Sequence, residues 1–139
     1  MATKRVLIIE DEADTRTAIR EFLERSGYEA AEAAGGLEGL AQAQSWQPRV
    51  ILLDIRMPDP DGYEVCRRLK ANPATKSIPV IVVTAVNNDA LNRLAYEAGA
   101  MACVVKPFRL EALLTVIQTA MAGADRRAKS QAKREATPA

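Results

Sequence analysis

Five short apolar runs, each too brief for a helix, alternate along the chain with segments in which apolar residues return every three or four positions. Val6–Ile9, Val50–Leu53 and Val80–Val83 contain no polar side chain, the pattern of strands buried on both faces. Tyr28–Ala33 gives a weaker, partly polar strand and Ala102–Val105 a fifth. Strand and helix alternating in this way predict an α/β fold, a parallel sheet covered by helices on both sides. The first helix carries Thr15, Ala18, Ile19, Phe22 and Leu23 and stops at Gly27. The second carries Leu37, Leu40 and Ala41 and ends near Trp46, which is expected to cap the core below it. Asp61 is placed to cap a third helix through Val65, Cys66 and Leu69. Leu91, Leu94, Ala95 and Ala98 mark a fourth, closed by Gly99, and Leu110, Leu113, Leu114, Ile117 and Met121 a fifth.

At 139 residues, one globular domain is expected, over residues 1–123. Residues 124–139 lack apolar spacing and read as a frayed helix end or disordered tail. The chain holds 19 Lys and Arg against 18 Asp and Glu, so bulk charge points neither to a nucleic-acid partner nor to a membrane surface. The balance hides an asymmetry: residues 125–139 carry a net charge of +3, and the rest is slightly acidic. No aromatic residue interleaves the basic tail, so it offers no base-stacking platform. Cys66 and Cys103 fit neither a disulfide framework nor a zinc spacing. With no signal peptide and no membrane-length apolar run, a reducing, cytoplasmic location is expected. The absence of histidine removes Ser-His-Asp and Cys-His catalysis. The chemistry must use carboxylates, hydroxyls or lysine.

In open α/β sheets, ligands bind beyond the carboxyl ends of the strands, and that is where the polar residues fall. The first run ends in Glu10-Asp11, the third in Asp54, the fourth in Thr84 and the fifth in Lys106. Three carboxylates brought together repel one another unless a cation intervenes, and a hard divalent ion such as Mg²⁺ suits oxygen ligands. A carboxylate can also act as nucleophile in phosphoryl transfer. Lys106 and the Thr84 hydroxyl would then receive the phosphoryl oxygens, and the small Ala85 would leave room for a donor.

These residues stand in motifs similar to those of the receiver family of two-component signalling. Val6-Leu7-Ile8-Ile9-Glu10-Asp11-Glu12 resembles its acidic motif, and Leu52-Leu53-Asp54-Ile55-Arg56-Met57-Pro58 its phosphoacceptor motif. Asp61-Gly62, Thr84-Ala85 and Lys106-Pro107-Phe108 follow in order, and the likeness runs from about Lys4 to Ala122. It implies a flavodoxin-like (βα)5 fold, doubly wound, with strand order 2-1-3-4-5. By the same resemblance Asp54 is the phosphorylated residue. Asp11, Asp54 and the backbone carbonyl of Arg56 hold Mg²⁺, with Glu10 joining through water. Thr84 is the switch hydroxyl, Lys106 contacts the phosphate, and the Lys106–Pro107 bond is cis. The implied protein is a signalling switch, not an enzyme beyond its own phosphorylation and dephosphorylation. Its partners would be a histidine kinase or phosphotransfer protein and a downstream effector, with room for a phosphorylation-dependent homodimer, and it resembles stand-alone receivers.

Two positions depart from the family pattern. Glu10 stands where Asp is frequent, a longer arm of the same charge. Cys103 stands where receivers carry Tyr, Phe or His, so the usual inward turn of a ring has no counterpart at this switch position. Arg56 and Val86 flank the site without an evident means of activating water, which implies a long-lived acyl phosphate. Two other readings compete. A haloacid-dehalogenase-type phosphatase needs an acid two residues after its nucleophile, where this chain has Arg56. A receiver-like interaction module would keep the fold without being phosphorylated.

Overall fold

The structure, a computed structural model, describes residues 4–85 and 88–136, with side chains described as far as Arg127. Strands β1 (Arg5–Ile9), β2 (Glu29–Ala33), β3 (Val50–Asp54), β4 (Val80–Thr84) and β5 (Ala102–Val105) alternate with helices α1 (Ala13–Arg25), α2 (Gly36–Trp46), α3 (Gly62–Ala71), α4 (Asp89–Glu97) and α5 (Leu110–Ala136). The strands form one sheet in the order β2-β1-β3-β4-β5, as the receiver likeness implied, and every pairing is parallel, as the alternation of strand and helix predicts.

Side chains alternate across a strand, so each central strand feeds two cores. Leu7, Ile9, Ile51, Leu53, Val80 and Val82 pack with Val65, Cys66, Leu69 and Ala95 from α3 and α4. Val6, Ile8, Val50, Leu52 and Ile81 pack on the other side with Ile19 and Leu23 of α1 and Leu113 and Ile117 of α5. Trp46 packs against the first of these cores, and the Arg5 guanidinium lies 5.2 Å from its ring centre. The Asp61 carboxylate accepts a bond from the Glu64 amide at 2.9 Å and so caps α3 as expected.

Three helical readings are corrected. In α2, Leu37 is 65% exposed and Ala41 also faces solvent, while Gly36, Gly39 and Ala43 are buried. A Cβ on Gly39 would meet the Ile9 side chain at 2.5 Å, so small residues let this helix approach β1, and size outranks hydropathy in choosing the buried face. In α4, Leu94 is exposed and Ala95 is the buried residue. The fifth helix continues past Gly123 to Ala136. Gly costs a helix about 1 kcal/mol relative to Ala, and the run of Ala, Lys, Arg and Gln around it is rich enough in helix formers to carry the backbone through. Val86, read from the sequence as flanking the site, lies outside the described residues.

Arg16 fastens α1 to the sheet. It donates to Glu32 Oε1 at 2.8 Å and to the Glu10 carbonyl at 2.7 Å, and Arg20 binds the other Glu32 oxygen. Burial pushes the Glu32 carboxyl up, but the bonds from Arg16 and Arg20 outweigh it and hold it below the ordinary carboxylate range. A carboxylate depressed in the folded state lends stability above its unfolded pKa and loses it as pH falls through the folded value. Urea unfolding is therefore expected to show Glu32→Gln about 1 kcal/mol less stable at neutral pH, allowing for solvent screening, with the difference vanishing in acid below both values. A second substitution probes the loop after β3. A Cβ on Gly62 would collide with the Asp54 carbonyl and the Ile55 Cα, both backbone atoms. Gly62→Ala is expected to cost about 1–3 kcal/mol, read as a lowered urea midpoint.

Candidate functional site

The carboxyl ends of β1, β3, β4 and β5 converge because the strands are parallel and in register. Ile9 pairs with Leu53, Asp54 with Val83, and Thr84 with Val105. Each apolar run is followed at its carboxyl end by a polar residue. Glu10 and Asp54 are only 4% and 7% exposed, while Asp11 is open to solvent. Carboxylate oxygens of Glu10, Asp11 and Asp54 all lie within 4.8 Å of one another.

Lys106 is the counterweight. Its Nζ donates to Glu10 Oε1 at 3.0 Å and stands 3.8 Å from Asp54 Oδ2. Burial, followed by the adjoining Asp54 carboxylate, pushes the Glu10 carboxyl up to about 8 against the pull of Lys106. Burial also works against the Lys106 charge. The bond to Glu10 and the charges of Asp54, Glu10 and Glu12 overcome it, and the ammonium is held above its ordinary range. The Arg56 amide donates to Asp54 Oδ1 at 3.2 Å, so the backbone turns around the carboxylate while the Arg56 side chain stays exposed. Thr84 is buried, and its carbonyl accepts from the Lys106 amide at 2.7 Å, tying the ends of β4 and β5 together. The Lys106–Pro107 bond is cis, as is Asp59–Pro60.

The donor set fits a hard divalent cation. Three carboxylates face one ammonium, and the buried Glu10 Oε2 finds no hydrogen-bond donor among the described residues. Oxygen ligands of this kind, partly buried and partly open, suit Mg²⁺.

Cys103 lies on β5 opposite Val82, half-buried against the core that contains α3 and α4. Burial raises its thiol, partly offset by the neighbouring Tyr96 side chain of α4. An aromatic side chain thus stands beside position 103 after all, supplied by α4. Sequence reading missed this because Tyr96 is off the apolar spacing of its helix. It also missed Arg16, whose bonds join residues close in space but on separate elements. A third omission is Tyr63, whose hydroxyl donates to the Leu91 carbonyl at 3.2 Å and links α3 to α4.

Residues 6–118 match the family model described as the response regulator receiver domain. The DNA-binding dual master transcriptional regulator RpaA of Synechocystis is 34% identical over 122 residues, which are 88% of this chain and 51% of that protein. Protein PilH of Pseudomonas aeruginosa is 33% identical over 119 residues, 86% of this chain and 98% of its own length. Against the first curated relatives, which include transcriptional regulators of Streptomyces coelicolor and Bacillus subtilis, the chain spans about half of their length or less. Among solved structures, the chemotaxis protein CheY4 of Vibrio cholerae superposes with a TM-score of 0.82 at 31% identity, covering 86% of this chain and 99% of that one. A CheY-like receiver domain from Methanospirillum hungatei gives 0.83 at 29% identity, covering 91% and 99%. The converging strand ends, the sheet order and the match over residues 6–118 agree, and the chain belongs to the response regulator receiver domain family.

Proposed function

We propose that this chain works as a switch by accepting a phosphoryl group on Asp54. The observation that carries the reading is the buried Glu10–Asp54 pair facing Lys106 at 3.0 and 3.8 Å. One Asp54 carboxylate oxygen attacks phosphorus, a P–O bond forms as the P–N bond of a phosphohistidine breaks, and the departing imidazole takes up a proton. Such a donor belongs to a histidine kinase or phosphotransfer protein, since this chain has no histidine. Glu10, Asp11, Asp54 and the Arg56 carbonyl would hold Mg²⁺, which when bound neutralises charge on the phosphoryl oxygens.

Lys106 leaves its bond with Glu10 to meet one phosphoryl oxygen, and the Thr84 hydroxyl meets another. Because the Lys106 amide is bonded to the Thr84 carbonyl, movement of Thr84 reaches β5 directly. Cys103 lies on that strand with Tyr96 beside it. The face built from α4, β5 and α5 therefore shifts between two populations, and a downstream effector reads the change.

Intact mass after incubation with acetyl phosphate tests the reading. The wild type is expected to gain one phosphoryl group only with Mg²⁺, and Asp54→Ala none. Absence of any gain while Mg²⁺ still binds would favour the constitutive interaction module. Lys106→Ala is expected to slow the gain by about a hundredfold, the loss of one preorganised charge at the reacting oxygens. In the same assay Asp11→Asn should raise the Mg²⁺ concentration for half-maximal rate roughly tenfold, by removing one charged ligand.

A further inference from the structure

The opposite edge of the sheet holds a second concave site of the reverse charge. Chain segments entering β3, β4 and β5 there meet the C-terminal turn of α3 and the outer half of α5 around an open cavity of about 910 Å³. Arg49, Lys70, Lys76 and Arg127 line it against a single carboxylate, Asp125, so the walls carry a net charge of +3. Asp125 pairs with Arg49 at 2.5 Å.

Lys70 is set in place at both ends of its side chain. Its Nζ donates to the Lys76 and Ile78 carbonyls at 3.1 and 2.6 Å, which uses two of the three ammonium donors. Its stem crosses Gly99, where a Cβ would come within 2.5 Å of Lys70 Cγ and the φ of +108° is itself a glycine conformation. Burial, with a smaller contribution from Arg127, holds the Lys70 ammonium below its ordinary range. A cation in the last turn of α3 complements the helix dipole. That account does not extend to Arg49 and Lys76, which lie in loops.

We infer that this basic cavity binds a compact anion bearing two or more phosphate groups. Its size falls within the range of small-ligand pockets, and its cations come from four separate segments, two helices and two loops, around a hollow. A nucleic-acid backbone would call for charges drawn out along a stripe. The site lies at the far edge of the sheet from Asp54, so its occupancy is independent of phosphorylation chemistry.

Calorimetric titration of the metal-free chain with inorganic pyrophosphate tests the inference. Saturable one-to-one binding is expected with a dissociation constant below about 1 mM. The double substitution Lys76→Ala with Arg127→Ala should weaken it at least about tenfold, and Asp125→Asn should tighten it severalfold by removing the one opposing charge. Both variants alter exposed positions and leave the acidic site intact. Lack of saturable binding, or affinity indifferent to these substitutions, would overturn the assignment. Tighter binding of a short oligothymidylate than of pyrophosphate would also overturn it, in favour of a nucleic-acid surface.

Discussion

A parallel sheet covered on both faces leaves almost no room for a polar side chain along its central strands, because burial without a partner costs several kcal/mol. In this chain β1, β3 and β4 obey that constraint along nearly their whole length, and the first polar residue after each apolar run stands at the strand's carboxyl end, still buried. The site follows from this exclusion. Glu10, Asp54 and Thr84 are together because their strands are parallel, in register and too apolar to hold them elsewhere. The same packing keeps Glu10 and Asp54 away from water, which raises the cost of their charges and makes Lys106 indispensable as their neighbour.

One ammonium does not balance three carboxylates, and the site is therefore polarised before any ligand arrives. Burial, followed by the adjoining Asp54, raises the Glu10 carboxyl, and its Oε2 finds no hydrogen-bond donor among the described residues. On the proposed reading a divalent cation would remove the imbalance by supplying the missing positive charge, and an incoming phosphoryl group would then find Lys106 within reach. The two would be coupled through the same few oxygens.

The convergence of Glu10, Asp11, Asp54, Thr84 and Lys106 was legible in the sequence because apolar runs and their terminal polar residues occupy consecutive positions, whereas the sheet order followed only from the likeness to the receiver family. Helix faces were less so. Gly36 and Gly39 turn inward in α2 because Val65 and Pro60 stand too close to the first, and Ile9 to the second, for a larger residue, a fact about the distance between elements that hydropathy does not encode. The full length of α5 was missed because residues 124–139 lack apolar spacing, which reports packing rather than helix formation. Tyr96 beside Cys103 was invisible for a related reason, since its role depends on how α4 sits over β5.

The polarity of the fold also sorts charge between its two edges. Helices that connect parallel strands run opposite to them, so their N-termini gather at the carboxyl edge of the sheet and their C-termini at the other. Positive helix ends therefore surround the carboxylates of Glu10, Asp11 and Asp54, and negative helix ends surround the basic side chains near Lys70. Each edge is thereby made less costly for the charge it collects, acidic at the carboxyl ends of the strands and basic at their amino ends. The two sites need share no residue to belong to one architecture. Both are consequences of a chain that keeps its polar groups out of the strands and lets the direction of its helices decide where each sign goes.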